Sequence, residues 1–381
     1  MSLLKAKAWL QKIHELDTPG KIKIMNVCGG HERTISHAGI RSLLPDNVEL
    51  IPGPGCPVCV CPEEDIFLAI QLALNEDIIL IAFGDMLRVP VNVSKKEVRS
   101  LAQARARGAD VRAIASPTEA ISIARNNSDK KTIFFAAGFE TTTAPVAAMI
   151  AEGLPDNLFI LLSGRLTRPA VAMLLESGEP GFDALIAPGH VATVMGPEEW
   201  QFVVDKYHCP AAIAGFSAES LLAALYSVLR QKSDDRLFLD NCYPGVVHDG
   251  GNLTAQHYLN MTMNVTDNNW RGIGIIPKSG FSLTQQYRSH DASLIFKGYG
   301  DDSRQRIGAM PAGCDCAKVV LGKIYPDQCR LYGTACQAET PIGPCMVSDE
   351  GACHIWWNTS QQNNISVSAA NPTLNPATET A

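Results

Sequence analysis

The feature that most constrains this fold is an alternation of short apolar runs with amphipathic segments between about residues 21 and 235. Strands that alternate with helices in this way form parallel sheets covered by helices on both faces, which predicts the α/β class. The predicted strands lie at 21–27, 48–51, 78–83, 111–115, 132–137, 158–162, 184–187 and 211–216. The predicted helices lie at 37–44, 62–75, 94–107, 117–126, 143–152, 168–177, 197–207 and 217–231.

The strands and helices form two successive series along the chain. We therefore predict two related α/β domains, residues 21–115 and residues 116–240, around a cleft. Residues 1–20 show apolar side chains at helical spacing and predict an amphipathic helix that docks on the body. The segment 241–358 is irregular and predicts a smaller C-terminal α+β domain. Residues 359–381 are mostly small and polar and predict a disordered tail.

Charge and composition exclude several classes of function. The 381 residues include 32 Lys+Arg and 39 Asp+Glu, and the formal net charge of −7 argues against a nucleic-acid-binding protein. No apolar run approaches the ~18 residues of a membrane-spanning helix, and the N-terminus does not resemble a secretory signal. We expect a cytoplasmic protein without membrane insertion. In that compartment, 12 cysteines point to metal binding or redox chemistry rather than to structural disulfides.

Five unusual motifs follow predicted strands directly. They are CGGH (28–31), GPGCPVC (53–59), GDMLR (84–88), GFETT (138–142) and PGH (188–190). In open α/β sheets, ligands bind in the crevice outside the carboxyl ends of the strands. Glycines at such positions allow sharp turns and a close approach of the backbone to a ligand. The motifs therefore predict a cleft lined by thiols, a carboxylate, an arginine and histidines.

The pair Cys56-x-x-Cys59 has the most specific spacing of these motifs. Two thiols at this separation can form a redox-active disulfide, supply half of a zinc site, or contribute to an iron–sulfur cluster. We favour the redox dithiol, because a Gly/Pro-rich loop is a poor place for core cysteines. Cys61 extends the run to three thiols that could also ligate a metal.

The other cleft residues each have a structural and a functional interpretation. Cys28 is either a small packing residue or, with His31 beside it, a ligand suited to a transition metal such as iron. His190 is either a core or capping histidine or part of the site. Glu140 is either a cap of the following helix or the carboxylate of the cleft.

Six cysteines lie close together near the C-terminus, which implies a metal centre in a cytoplasmic protein. Their spacing matches neither a zinc ribbon nor a zinc finger, whereas a [4Fe–4S] cluster needs four thiolates and tolerates varied spacing. The spacing favours a cluster over zinc and does not identify the four ligands. The six are Cys314, Cys316, Cys329, Cys336, Cys345 and Cys353.

Taken together, these motifs resemble those of the HypD family of [NiFe]-hydrogenase maturation factors. The resemblance extends to FGDMLRVP (83–90), APGHV (187–191), WRGIGIIPKSG (270–280) and CRLYGTACQAETPIGPCMVSDEGAC (329–353), and is collinear over about residues 15–357. It implies two related α/β domains and a third domain with a [4Fe–4S] cluster. It also implies a redox-active scaffold for cofactor assembly rather than a conventional turnover enzyme.

The resemblance assigns roles to individual residues. It implies that Cys28 holds the iron of an Fe(CN)2CO group together with a cysteine of a HypC-like partner, and that Cys56 and Cys59 are the redox dithiol. A HypE-like partner would supply cyanide, and a hydrogenase large subunit would be served indirectly. The cluster ligands that it implies are Cys329, Cys336, Cys345 and Cys353.

The same resemblance suggests a mechanism, which we state as a hypothesis. Electrons would pass from the cluster through the dithiol to the iron at Cys28. The side chains of His31, Arg88, Glu140 and His190 would line the cleft around it. An arginine in such a cleft can attract an anionic complex.

This chain departs from the family pattern at several positions. The family usually reads CGGHTH, whereas this chain has Glu32 and Arg33 after the histidine. Cys61 stands where a threonine is usual, and Ser217 stands where a carboxylate is usual. The usual arginine is also missing from the segment NCYPGVVHDGGN (241–252), near Pro244-Gly245. The departures change the expected charge around the iron but leave the predicted thiol sets intact.

Two other functions compete with the scaffold. One is a [4Fe–4S]-dependent disulfide reductase that acts on another protein and resembles ferredoxin–thioredoxin reductase. The other is a zinc-stabilised α/β binding module without a redox role. Cys28 favours the scaffold over a reductase, which needs no third thiol in the cleft.

Overall fold

The computed structural model of the chain describes residues 5–18, 20–94, 96–178, 180–296, 298–299 and 310–370. These residues form eleven strands in three sheets. A five-stranded sheet has the order β2-β1-β7-β8-β9, a four-stranded sheet has the order β4-β3-β5-β6, and β10 and β11 form an antiparallel pair. Both larger sheets are parallel. The strands are β1 (Ile22–Asn26), β2 (Val48–Pro52), β3 (Ile78–Phe83), β4 (Val111–Ile114), β5 (Lys131–Gly138), β6 (Leu158–Gly164), β7 (Ala184–Pro188), β8 (Ala211–Ala214), β9 (Leu239–Asn241), β10 (Met263–Trp270) and β11 (Gly274–Leu283).

Helices connect the strands, as the alternating pattern predicts, and the α/β fold class is confirmed. A short 3-10 turn at Gly84–Arg88 follows β3. The α-helices are α1 (Ala6–His14), α2 (Gly29–His37), α3 (Ile40–Leu43), α4 (Pro57–Val60), α5 (Glu63–Asn75), α6 (Leu101–Ala106), α7 (Pro117–Asn126), α8 (Glu140–Ala151), α9 (Thr167–Glu176), α10 (Gly189–Met195), α11 (Gln201–Asp205), α12 (Ala218–Ser233), α13 (Leu253–Thr262), α14 (Ala292–Ile295), α15 (Cys316–Val320) and α16 (Ala352–Ala370).

The two series of strands predicted a boundary at residue 116. The two parallel sheets do not divide there. After β2 the chain leaves the five-stranded sheet, builds the whole four-stranded sheet from β3 to β6, and returns to place β7 beside β1. β4 and β5, which flank the predicted boundary, are both neighbours of β3. Periodicity along a chain locates strands but does not say which of them pair. The five-stranded sheet is therefore built from two separate stretches of the chain.

Strand β3 illustrates why the apolar runs become central strands. Ile78 and Leu80 pack in one hydrophobic core, whereas Ile79 and Ile81 pack in a second core on the other face of the sheet. All four side chains are almost completely buried. Burial of each such side chain contributes roughly 1.5–3 kcal/mol relative to exposure, so an uninterrupted apolar run is favoured here.

The ends of the chain pack against this body. Helix α1 lies on α12, where the rings of Trp9 and Tyr226 are 5.3 Å apart and Ile13 is buried. At the other end, α16 continues to Ala370, whereas a disordered tail was predicted from residue 359. Extending an existing helix is easier than nucleating one, so a polar sequence can continue the helix that begins at Ala352. Residues 371–381 of the predicted tail lie outside the described residues.

Within the part of the chain that the structure describes, no helix combines the length and the apolar character needed to cross a membrane.

Candidate thiol and metal site

The first two thiol motifs lie side by side because β1 and β2 are adjacent parallel strands. Cys28 is the N-cap residue of α2, directly after β1, and Cys56 is the N-cap residue of α4, after β2. The two loops touch through the Gly29 N–H, which donates to the Gly55 carbonyl at 3.3 Å. A Cβ atom at Gly55 would lie 2.4 Å from the Cys28 nitrogen, so this close approach requires glycine.

Cys56 and Cys59 are joined by a disulfide bond. Both residues are buried, and the Cys59 N–H donates to the Cys56 sulfur at 3.1 Å within the single turn of α4. A disulfide in this position fits the redox pair that we predicted from the spacing. It can accept two electrons without a large movement of the backbone, since the loop already holds both sulfur atoms together.

Cys28 is half-buried and is not part of a disulfide. Burial and, to a smaller extent, the nearby Glu350 carboxylate raise the pKa of its thiol to about 12. The thiol therefore carries its proton at neutral pH when no cation is near. A bound metal ion would displace that proton, because the thiolate is the form that ligates metals.

The C-terminal cysteines bring a third set of thiols to the site. The sulfur atoms of Cys316, Cys345 and Cys353 lie within 4.8 Å of one another, and all three residues are buried. The Cys353 N–H donates to the Cys345 sulfur at 3.3 Å. Hydrogen bonds from the Cys316 and Cys353 thiols lower the pKa of Cys345, so Cys345 is the first of the three to ionise. Buried thiols of this kind suit a metal ion or an iron–sulfur cluster.

Three further cysteines, Cys314, Cys329 and Cys336, lie in the same C-terminal region of the chain. The thiol of Cys314 is hydrogen-bonded to that of Cys316. A Cβ atom at Gly343 would lie 2.5 Å from the Cys314 sulfur and 2.6 Å from the Cys316 sulfur, so the thiols require a glycine beside them. Cys329 and Cys336 are also buried, and the Cys336 sulfur accepts a hydrogen bond from a backbone N–H at 3.3 Å. Six thiols are thus available where a [4Fe–4S] cluster needs four, and the donor set fits such a group.

The structure places Cys316, one of the six candidate cysteines, in the thiol group, although the family resemblance did not imply it as a ligand. It gathers Cys345 and Cys353, two of the predicted cluster ligands, with Cys316, for which we had no role. The Cys314-x-Cys316 spacing was the available signal, but only the packing of α15 against the segment before α16 shows that its thiols reach Cys345.

A small cavity lies between the three thiol-bearing segments. Cys28, Cys56 and Cys345 all contribute to its wall. Asn26 and Glu350 also line it. The cavity has room for about one water molecule. The sheet edge and the C-terminal cysteines therefore meet at one point.

The turn after β3 holds the C-terminal segment over Cys28. Asp85 accepts hydrogen bonds from the Ser348 hydroxyl at 3.0 Å and from the Asp349 N–H at 3.1 Å. Arg88 donates to the Val347 carbonyl at 3.0 Å. Arg88, which we expected to line the cleft, thus contacts a backbone carbonyl from the distant segment 347–350. A Cβ atom at Gly29 would lie 2.4 Å from a backbone atom of that segment.

His31 and His190 both contact the ring of Phe216. His31 is fully buried, and its Nε2 lies 3.0 Å from the Ala214 carbonyl, so we assign the ring proton to Nε2. Its Nδ1 has no hydrogen-bond partner among the described residues. Burial lowers the pKa of His31 to about 4, so the ring is neutral at pH 7. The Phe216 ring lies 5.0 Å from His31 and 3.9 Å from His190, which is exposed.

Glu140 lies away from the small cavity. It is fully buried, and its Oε1 accepts hydrogen bonds from the Thr167 N–H at 2.7 Å and the Thr167 hydroxyl at 3.0 Å. Its Oε2 has no partner among the described residues. Burial raises the pKa of Glu140 to about 7. Its observed contact is with the first turn of α9, which differs from the cap of its own helix that we considered.

Cys61 belongs to a different core from the disulfide. Its sulfur lies 3.4 Å from the Ser163 hydroxyl, and Cys61 packs in one of the two hydrophobic cores of the four-stranded sheet. The disulfide cysteines pack instead with the C-terminal cysteines. Burial raises the pKa of Cys61 to about 12, which makes the thiol unreactive. Ser217, another departure, accepts the Ser220 N–H at 3.2 Å and caps α12.

The fold and the site together define an α/β protein organised around cysteine chemistry. It has one disulfide at the end of a parallel sheet and a buried group of thiols that fits a metal ion or an iron–sulfur cluster.

Known proteins place this chain in a particular family. The family described as "HypD: Hydrogenase formation hypA family" matches residues 4–360. Hydrogenase maturation factor HypD2 of Bradyrhizobium diazoefficiens is 39% identical over 353 residues, 90% of each chain. Hydrogenase maturation factor HypD of Escherichia coli is 38% identical over 351 residues, again 90% of each. A putative hydrogenase expression/formation protein of Methanocaldococcus jannaschii is 39% identical over 355 residues, 92% of this chain and 96% of that one. The chain belongs to the HypD family of hydrogenase maturation factors.

Proposed function

We propose that this protein is the scaffold on which the Fe(CN)2CO group of a [NiFe]-hydrogenase is assembled. The observation that carries the proposal is the small cavity whose wall includes Cys28, Cys56 and Cys345. A thiol for the iron substrate, one sulfur of a disulfide and one thiol of the buried cysteine group border the same space. This arrangement supports a function in which a metal substrate and a source of electrons meet.

The C-terminal thiols are proposed to hold a [4Fe–4S] cluster. The family resemblance implies Cys329, Cys336, Cys345 and Cys353 as ligands, and the short distances among Cys316, Cys345 and Cys353 add Cys316 as a neighbour of that group. When bound, such a cluster supplies electrons one at a time. Backbone N–H groups that donate to the Cys336 and Cys345 sulfurs stabilise the thiolate forms needed for ligation.

The Cys56/Cys59 pair is proposed to hold two reducing equivalents beside the iron when it is in its reduced, dithiol form. Its reduction takes two electrons and two protons and breaks one S–S bond to give the Cys56 and Cys59 thiols. Reoxidation forms the bond again and returns both electrons and both protons. Because both sulfurs are buried, this exchange occurs inside the protein rather than with a large external substrate.

Cys28 is proposed to bind the iron substrate as a thiolate. A HypC-like partner supplies the second thiol, a HypE-like partner donates cyanide, and a hydrogenase large subunit receives the finished group. His31, whose Nδ1 has no hydrogen-bond partner among the described residues, is proposed as a cleft residue near this thiol.

The burial of the disulfide also favours this function over a reductase that acts on another protein. Cys56 is 4% exposed and Cys59 is 2% exposed. Thiol–disulfide exchange with a protein substrate requires access to one of these sulfur atoms. The half-buried Cys28 thiol is more accessible than either of them.

The decisive experiment is anaerobic co-purification with a HypC-like partner from cells that have an active maturation pathway, followed by infrared spectroscopy. We expect cyanide and carbonyl stretching bands in the wild-type complex and their loss in Cys28→Ala. Cys61→Ala is the matched control, since it removes a buried thiol from a different core. A fully iron-loaded complex without these bands would refute the scaffold function.

Iron and acid-labile sulfide analysis tests the cluster. Loss of both in Cys336→Ser, with retention in Cys316→Ser, supports the ligand set that the family resemblance implies. The reverse result assigns a ligand position to Cys316. Zinc without sulfide in the wild-type protein would exclude the cluster and favour the zinc-stabilised module.

A further inference from the structure

A buried carboxylate links the helix after Cys28 to the helix that carries Cys353. Glu32 lies in α2 and is 1% exposed. Both of its oxygens accept hydrogen bonds from the Arg41 guanidinium at 2.8 Å. Its Oε1 also accepts the indole N–H of Trp356 at 2.6 Å. Trp356 is three residues beyond Cys353 in α16, so both lie within one turn of the helix.

The same carboxylate reaches the floor of the small cavity. The Asn26 amide donates to the Glu32 Oε2 at 3.0 Å, and both residues line the cavity beside Cys28. The Glu32 N–H donates to the Cys28 carbonyl at 3.0 Å within the first turn of α2. A displacement of the Glu32 side chain would therefore affect Asn26, the Cys28 turn and the first turns of α16 together.

Aromatic packing completes this connection. The Arg41 guanidinium carbon lies 4.9 Å from the centre of the Trp356 ring. The Tyr325 ring stacks on Trp356 as well, with the two ring centres 5.6 Å apart. The Tyr325 hydroxyl donates to Glu49 on β2. Charge-assisted hydrogen bonds and cation–π contacts of this kind are strong when they are shielded from water.

We propose that Glu32 is a positioning residue that sets the placement of Cys28 relative to the Cys353 thiol of α16. A threonine, which is usual at this position in the family resemblance, has one short hydroxyl and cannot accept from Arg41, Asn26 and Trp356 at once. The negative charge of Glu32 is thus paired with the positive charge of Arg41, so it does not stand as an unpaired charge beside the Cys28 thiol. The inference rests on the proposed function, because the placement is useful only if electrons pass between these thiols.

The first test uses protein without bound metal and measures amide hydrogen exchange. In Glu32→Gln, which leaves Arg41 without a carboxylate, we expect exchange to become about tenfold faster in residues 28–33 and 353–356, because local opening is governed by these contacts. Trp356→Phe keeps the ring but removes its N–H, and it should loosen 353–356 alone. Glu176→Gln is the matched control, since Glu176 is an exposed carboxylate paired with Lys206. Unchanged exchange at both segments in Glu32→Gln would overturn the proposal.

The second test separates positioning from simple stabilisation. It measures the rate at which the Cys56–Cys59 disulfide is reduced during continuous illumination of the cluster-loaded protein with a sacrificial photoreductant, which supplies the two electrons in succession while water supplies the two protons, and alkylation traps the thiols. We expect Glu32→Gln to slow this step about tenfold well below its unfolding temperature, since a small misplacement strongly affects reacting groups. A lower unfolding temperature with an unchanged rate would reduce Glu32 to a structural residue and overturn the proposal.

A double variant and the wild-type protein complete the design. The double variant combines Glu32→Gln with Trp356→Phe. If Glu32 acts through Trp356, its disulfide should be reduced no more slowly than that of Glu32→Gln alone. If the rate decreases of the two single variants multiply in the double variant, the link is contradicted. If the wild-type protein itself never transfers electrons to the disulfide, the proposed function fails. The exchange measurements on metal-free protein would still decide whether Glu32 holds the two helices together.

Discussion

The buried carboxylate of Glu140 makes folding stability depend on pH in a way that one substitution can isolate. Its Oε1 accepts two hydrogen bonds from Thr167, whereas its Oε2 is buried without a partner among the described residues. An unpartnered anionic oxygen is strongly disfavoured in the interior, so burial raises the pKa of Glu140 from 4.5 to about 7. Glu140→Gln keeps the acceptor for Thr167 and removes the titration.

The sign of the effect follows from proton binding. Between pH 4.5 and about 7 the unfolded chain has lost the Glu140 proton while the folded protein retains it, so stability falls as pH rises through this window. Below the window both states are protonated, and above it both are ionised. The pKa difference of about 2.5 corresponds to about 3 kcal/mol in total, of which about 2.5 kcal/mol falls between pH 5 and pH 8.

Urea unfolding of the wild-type protein and Glu140→Gln at intervals from pH 5 to pH 8 measures this term. Burial also raises the pKa of Asp65, which acts alike in both proteins and cancels in the difference. The negative charge of Glu199 contributes to the raised pKa of Glu140, so that interaction is part of the measured difference. We expect the wild-type protein to lose about 2.5 kcal/mol relative to the variant across the range. Parallel pH profiles of the two proteins would refute the reasoning.

Three further substitutions probe how the thiol segments are held together. Gly29→Ala places a Cβ atom 2.4 Å from the Glu350 carbonyl oxygen and should lower the free energy of unfolding by about 1–3 kcal/mol, as measured by urea denaturation; an unchanged midpoint would contradict the close packing. Arg88→Ala removes the hydrogen bond to Val347 and should cost about 1 kcal/mol, with faster hydrogen exchange confined to residues 347–350. Cys61→Thr should leave the number of thiols alkylated in the native protein unchanged, since the Cys61 thiol is buried and its pKa is raised to about 12; one fewer labelled thiol would show that Cys61 is reactive.

Strands β1 to β8 could be predicted from the sequence because each is recorded in a local pattern. β3 is a run of apolar residues that alternate between two cores, and such a run has few alternatives. The order of the strands is a non-local property. Nothing near Ile24 indicates that Ala184, rather than a residue of the next strands, will pair with it. The predicted boundary at residue 116 therefore does not coincide with the division between the two parallel sheets, although β1 to β8 were correctly located.

The candidate site shows the same division between local and distant information. The neighbouring positions of Cys28 and Cys56 follow from motifs at the ends of two adjacent strands. The contact of Arg88 with Val347 could not be predicted, because the carbonyl comes from a segment 259 residues away. Cys316 was one of six candidate cysteines, but its spacing alone does not show that its sulfur lies beside those of Cys345 and Cys353.

Charge is the property that a sequence motif describes least well in this protein. Read alone, the change from threonine to Glu32 suggests an added negative charge beside Cys28. In the fold, Arg41 lies nine residues further on and neutralises it through two hydrogen bonds at 2.8 Å, while Trp356 arrives from the far end of the chain. A buried, charged carboxylate is stable only when neighbouring groups pair with its charge and donate hydrogen bonds to it. A substitution within a conserved-looking motif should therefore be interpreted together with the distant residues that satisfy it, because those partners decide whether it changes the field at the metal or the placement of the ligands.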